Sequence, residues 1–118
     1  LPFANDLHKD HRHTSYAVNV ICRPYLESSK KLKKVLAYET LSETNLDFYQ
    51  ERFKPNVYFD ISDTLDTKLD AIKEYKSQLQ KSNQPRTLDV IKALAILRGS
   101  HIGVKYAEAF MLLGEYLR

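Results

Sequence analysis

Lys34-Val-Leu-Ala-Tyr-Glu-Thr40 is the stretch on which the fold turns. Its apolar residues are contiguous, without the in-out alternation of a strand wetted on one side. That pattern predicts a strand covered on both faces, as in an α/β sheet with helices packed against it. Residues 42–55 follow as a polar, aperiodic segment carrying acids and aromatics. They predict a long loop near the strand end, where long loops of compact domains tend to be functional.

Working outward, residues 57–61 predict a second strand. It feeds Ser62-Asp63, either of which can cap a helix, and Leu65, Leu69, Ile72, Lys76 and Leu79 then recur at three and four as far as Gln80. Residues 82–86, with Asn83 and Pro85, make a connector. Leu88, Ile91, Leu94, Ala95 and Arg98 mark a further helix, stopped or bent near Gly99. Residues 104–113 combine helix propensity with the apolar content of a strand, and the extended reading is preferred. On the other side of the opening stretch, Tyr16, Ala17, Val20 and Ile21 fall at helical spacing, with Thr14 as cap and Pro24 as terminator. Residues 1–11 then form a loop, and His11 lies at or just before the helix N-terminus.

Two or three strands are fewer than a covered sheet normally holds. The chain opens at Leu1 and its single methionine is Met111, so further strands are expected upstream and residues 1–118 are expected to form a single partial domain. A 43% hydrophobic and 28% charged composition with three glycines is that of a globular chain rather than a disordered one. The net charge of +3 comes from 18 basic residues interleaved with 15 acidic ones, which gives no continuous surface for a nucleic acid. The run Lys30, Lys31, Lys33, Lys34 is read as solvated lysines at the edge of an element. No apolar run approaches the roughly 20 residues that span a bilayer. Cys22 is the only cysteine, permits no internal disulfide and fits a reducing, cytoplasmic setting, where it is expected as a small buried hydrophobe.

The chemistry concentrates in His8-Lys-Asp-His11, followed by Arg12 and His13. Neutral imidazole is a preferred zinc ligand, and a nearby carboxylate commonly orients a ligand ring by accepting its second N–H. The spacing lets one histidine bind metal while the other faces substrate; a solvated polar loop accounts for the same residues without chemistry. A catalytic zinc needs three protein ligands and a water, more than this tight cluster supplies. His13 and His101 carry no supporting spacing, and Asn56 is read as a turn residue.

The stretch His8-Lys-Asp-His-Arg12 resembles the second signature, His-x-Asp-His, of the PIG-L/LmbE-like metal-dependent deacetylases. Leu36-Ala-Tyr-Glu-Thr40, Phe53-Lys-Pro-Asn-Val-Tyr-Phe-Asp-Ile-Ser62, Lys73-Glu-Tyr-Lys-Ser-Gln78 and the stretch from Arg98 to Phe110 are similar to the C-terminal half of that family in the same order. The resemblance implies the C-terminal half of a Rossmann-like three-layer α/β sandwich, with helices flanking a small, mostly parallel sheet. It implies zinc-dependent removal of acetyl groups from an N-acetylated, N-acetylglucosamine-like amino sugar or related small amide. By motif position, His11 resembles the metal ligand. His8 resembles the residue that stabilises the tetrahedral intermediate or protonates the leaving amine, and Asp10 its carboxylate partner. Glu39 and Thr40, at a strand end, are expected as substrate contacts.

Lys9 stands where the family often has proline, and the first signature, Ala-His-Pro-Asp-Asp-Glu, which carries the remaining zinc ligands and the water-activating carboxylate, is absent from the sequence. The zinc site is therefore expected to be incomplete and the chain inactive alone, its partner being the missing N-terminal half, a companion chain, or a second copy in a homo-oligomer. The alternative is a non-catalytic interaction or scaffold fragment that pairs through an exposed sheet edge.

Overall fold

The structure, a computed structural model, describes residues 1–117. In chain order it forms α1 (Lys9–Ile21), a short 3-10 turn (Glu27–Ser29), β1 (Lys34–Tyr38), β2 (Val57–Asp60), α2 (Leu65–Glu74), α3 (Leu88–Ser100) and β3 (Ala107–Glu115). The residues divide into two compact units, one built from residues 1–57 with the chain from 110 onward, the other from residues 58–109.

In the first unit, β1 pairs antiparallel with the C-terminal part of β3. Tyr38 stands opposite Phe110 and Lys34 opposite Glu115, with a bulge between Val35 and Leu36. The Lys34 Nζ lies 3.0 Å from Glu115 Oε1 across the pair. On the other side of β1 the chain start adds one parallel bridge, Pro2 to Tyr38. The hydrogen bonds Tyr38 N–H to Leu1 O and Phe3 N–H to Tyr38 O hold it there. The core of this unit is small: Phe3, Ala37 and Phe53 are buried, and the two phenyl rings meet edge to face at 5.4 Å between centroids. Each buried ring contributes roughly 1.5–3 kcal/mol by the apolar surface it removes from water. Asn56, expected as a turn residue, holds the strand instead. Its N–H donates to Phe110 O, and its Oδ1 accepts the Leu112 N–H at 2.8 Å.

The sheet has strand order β1-β3-β2. As the chain advances from Asn56 to Ile61, its acceptors retreat from Phe110 O to Tyr106 O, the sign of an antiparallel pair. The expected mostly parallel sheet is therefore not what forms. A contiguous apolar run reports coverage and says nothing of direction, and β3, the latest strand, lies between the two earlier ones and runs against both. Double coverage of β1 is also not met within these residues: Ala37 is buried, Val35 and Leu36 are half-buried, and Lys34 and Tyr38 are exposed.

In the second unit, Leu65, Ala95, Ala107 and Ala109 are the buried apolar residues. α2 begins after Thr64, not at Ser62 or Asp63, because the Ser62 hydroxyl and N–H both donate to Asp60 Oδ1. It ends at Glu74, short of Gln80, where turn bonds from Tyr75 N–H to Ile72 O and from Gln78 N–H to Tyr75 O replace the helical pattern. α3 starts on the Thr87 side chain, which accepts the Val90 N–H, and stops at Ser100, near Gly99 as expected. Gly99 is needed for close approach: a Cβ on it would sit 2.6 Å from Val104 O and 3.0 Å from Lys105 O. Gly103, at φ +73°, turns the chain in the left-handed region that favours glycine and delivers it to β3. The extended reading of residues 104–113 thus holds for β3.

Candidate functional site

The histidine cluster sits on the first turn of α1, which starts earlier than the Thr14 cap predicted. His8 takes the N-cap position in extended backbone (φ −72°, ψ 125°), and its Nδ1 accepts the Asp10 N–H at 3.2 Å. Imidazole is an uncommon cap, but any acceptor there satisfies an orphan amide of the first turn. His11 therefore lies at the helix N-terminus, in the first turn. The predicted apolar stripe is also turned outward, with Tyr16 at 74% and Ile21 at 59% exposure, while Ser15 is buried. Period alone identified the helix; its least exposed positions are mixed, with Ser15 buried and His11, Arg12, Val18 and Val20 half-buried.

Behind His11 stands a residue that the motif reading missed. Asp6 has no exposed surface, and its Oδ2 lies 2.9 Å from His11 Nδ1. Its Oδ1 accepts the Thr44 hydroxyl at 2.6 Å. The Asp6 carbonyl receives Arg12 Nε at 2.6 Å, and Arg12 Nη2 reaches Asp47 Oδ2 at 2.7 Å. Leu7 N–H adds a bond to Glu43 O. Segment 40–47 is thereby tied to the turn ahead of α1. Asn45, at φ 67°, closes that loop by accepting the Phe53 N–H on its side chain. No period or known spacing pointed to Asp6; the only cue was an acid five positions before a histidine, which carries no pattern weight.

The two rings differ in what they present. Because His8 Nδ1 accepts a backbone N–H, the proton of the neutral ring is on Nε2, and the outward nitrogen is a donor. Because a carboxylate can only accept, His11 Nδ1 carries its proton toward Asp6 and its Nε2 keeps a lone pair. The ring centroids are 5.1 Å apart, with His8 about half exposed and His11 at 26%.

Asp10, predicted as the carboxylate partner of His8, has Oδ2 at 3.9 Å from His8 Nδ1, beyond hydrogen-bond reach, with its side chain 85% exposed. Its charge in the first turn suits the positive end of the helix dipole. Glu39 and Thr40 are half-buried. Thr40 takes part through its backbone: its N–H donates to Thr44 Oγ1 at 2.7 Å, and its carbonyl accepts the N–H groups of Glu43 and Thr44. His13 is exposed. His101, in the other unit, has Nδ1 at 3.4 Å from the Tyr58 hydroxyl. Cys22 is half-buried rather than buried, and with Asn19, Arg23 and Tyr116 it lines a cavity of about 200 Å³ at the far end of α1 from the histidines.

Whether these residues suit a metal turns on His11. A ring with one nitrogen bound to a buried carboxylate and the other free is the arrangement a ligating histidine adopts. Among the described residues no group of three or more His, Cys, Asp or Glu side chains is gathered for a metal ion. His11 thus fits as one ligand of a site, not as a site.

No known family model matches the chain. A diacetylchitobiose deacetylase of Thermococcus kodakarensis is 26% identical to it over 102 residues, covering 86% of this chain and 38% of that protein. The chain is similar to a deacetylase. It spans well under half the length of that curated relative. No helix among the described residues is long and apolar enough to cross a membrane.

Proposed function

We propose that this chain carries the second-signature half of a zinc-dependent N-deacetylase of the PIG-L/LmbE-like kind, acting on an N-acetylated amino sugar. The observation that carries the proposal is the pair of adjacent rings with opposite outward nitrogens, a donor on His8 and a lone pair on His11. The similarity to a diacetylchitobiose deacetylase supports the substrate class. His11 would hold the metal through Nε2, and the other ligands would come from polypeptide outside these residues. Zinc, when bound, supplies Lewis-acid polarisation of the amide carbonyl and an activated water.

The remaining roles belong to the side chains of the chain itself. As the amide carbon becomes tetrahedral, negative charge gathers on the former carbonyl oxygen, and a preplaced donor there lowers the barrier. His8 Nε2–H is that donor. Its Nδ1 is engaged with the Asp10 N–H, which favours oxyanion stabilisation over delivery of a proton to the leaving amine. Asp10 acts on His8 through that backbone amide. Glu39 and Thr40 border the sugar as strand-end residues. Asp6 and Arg12 hold the turn in place.

Acetate release from diacetylchitobiose tests the reading. The chain is supplied with Zn²⁺ and a polypeptide carrying the Ala-His-Pro-Asp-Asp-Glu signature. Release that is lost in His11→Ala and reduced about 10²- to 10³-fold in His8→Ala is expected. No release, together with no Zn²⁺-dependent change at His11 Nε2, overturns the proposal.

A further inference from the structure

The hydrogen bonds behind His11 form a chain with a direction. The Thr40 N–H can only donate, so Thr44 Oγ1 accepts there at 2.7 Å and turns its own proton to Asp6 Oδ1 at 2.6 Å. Asp6 Oδ1 is thereby obliged to accept. The other oxygen, Oδ2, faces His11 Nδ1 at 2.9 Å, and the carboxylate has no exposed surface through which water could substitute. A carboxylate only accepts, so the shared proton resides on the ring.

We propose that the relay from Thr40 through Thr44 to Asp6 sets the tautomer of His11, holding its proton on Nδ1 and its lone pair outward on Nε2, so that Thr44 and Asp6 are positioning residues for the metal-facing nitrogen. The functional meaning rests on the reading of His11 as a metal ligand; the tautomer is a property of the metal-free chain. The relay explains why segment 40–47 is tied to the turn ahead of α1. The backbone of that segment supplies the donor that polarises the whole series.

The direction of the relay makes one substitution diagnostic. In Asp6→Asn, the amide oxygen must take the place beside the Thr44 hydroxyl, which puts the NH₂ group against His11 Nδ1. That nitrogen then has to accept, and the ring proton moves to Nε2. Thr44→Val in the Asp6→Asn background removes the constraint, and the amide turns its oxygen back to the ring.

The test is ¹⁵N NMR of the histidine side chains in the full metal-free chain at about pH 8.5, where imidazoles are neutral. His8, whose Nδ1 accepts a backbone N–H, is the reference for the Nε2–H tautomer in every sample. The native chain is expected to show His11 as Nδ1–H, the Asp6→Asn variant as Nε2–H, and the Asp6→Asn, Thr44→Val double variant as Nδ1–H again. Zn²⁺ affinity at His11 should fall about 10- to 100-fold in Asp6→Asn, as for loss of an outer partner of a metal-ligating histidine.

An Nε2–H ring in the native chain overturns the proposal, as does an Asp6→Asn variant that keeps Nδ1–H or a double variant that does not revert. Where Asp6→Asn fails to fold, the native spectrum decides. An Nδ1–H ring with a slowly exchanging Thr44 hydroxyl proton upholds the relay, and a freely exchanging hydroxyl or an Nε2–H ring defeats it. Because these spectra contain no metal, a chain that shows the relay but releases no acetate in the complementation assay keeps this inference and loses the deacetylase reading.

Discussion

Two histidines sit at helix ends, and their surroundings differ. His11, in the first turn of α1, faces a carboxylate with no exposed surface at 2.9 Å. His101, capping the C-terminus of α3, is exposed and meets the Tyr58 hydroxyl at 3.4 Å. A hydroxyl both donates and accepts, so it leaves the tautomer of His101 open, whereas a buried carboxylate leaves His11 one choice. The turn after α3 is set instead by backbone proximity at Gly99. One turn is determined by the polarity of its buried groups and the other by the lack of a side chain.

The largest effect is expected from an added atom where the second turn has no room. Gly99→Ala places a Cβ against the Val104 and Lys105 backbone, which cannot swing aside as a side chain tip would. A loss of about 3 kcal/mol in urea unfolding is expected, at the upper end of overpacking penalties. A loss under about 1 kcal/mol would show that the α3–β3 turn is not held by that approach.

Asp6→Ala attacks the first turn. It strips the acceptor from the Thr44 hydroxyl and from His11 Nδ1 and costs about 2 kcal/mol by the same measurement, the usual penalty for stranded buried donors. Equal stability in Asp6→Ala and the native chain would mean that water reaches these groups.

A smaller, acid-limited effect belongs to Asp60 in the second unit. Accepting first the Ser62 hydroxyl and then the Ser62 N–H holds its carboxyl below the ordinary value of 3.8. The folded value is depressed, so the stabilisation is present above the ordinary value and is lost as pH falls through the folded one. Asp60→Asn should therefore differ most from the native chain near neutral pH, with the gap closing in acid, below the ordinary value, in thermal melts. A gap that is constant with pH would show that the Ser62 contacts do not depend on charge.

The smallest effect is expected at His101→Ala. An exposed ring with a long contact should change stability by no more than about 0.5 kcal/mol. A loss comparable to that of Asp6→Ala would erase the contrast between the two histidines.

How much was legible depends on the range of the interaction. The strands and helices were placed, because hydrophobic period and apolar runs are local quantities. α1 nevertheless began earlier than its Thr14 cap implied, since a histidine serves as cap. α2 began past Ser62, since Ser62 was committed to Asp60, and it ended before its period did, where turn bonds from Tyr75 and Gln78 took over. Sheet direction was not legible: β1 meets β3 across most of the chain, and nothing in an apolar run records which way its partner travels. The histidine motif drew attention to His8, Asp10 and His11, yet the buried carboxylate beside His11 is Asp6 and not Asp10, whose side chain points to water.

The sequence by itself determined which residue types are available: imidazoles and a carboxylate clustered before a helix, short apolar runs for strands, and glycines near the last turn. Only the tertiary structure decided which carboxylate is buried and which way each ring turns its lone pair. For His11 those outcomes depend on Thr40 and Thr44, brought to Asp6 from over thirty positions away along the chain. A hydrogen bond acquires its direction from every neighbour around the group at once, and residue order does not encode that set.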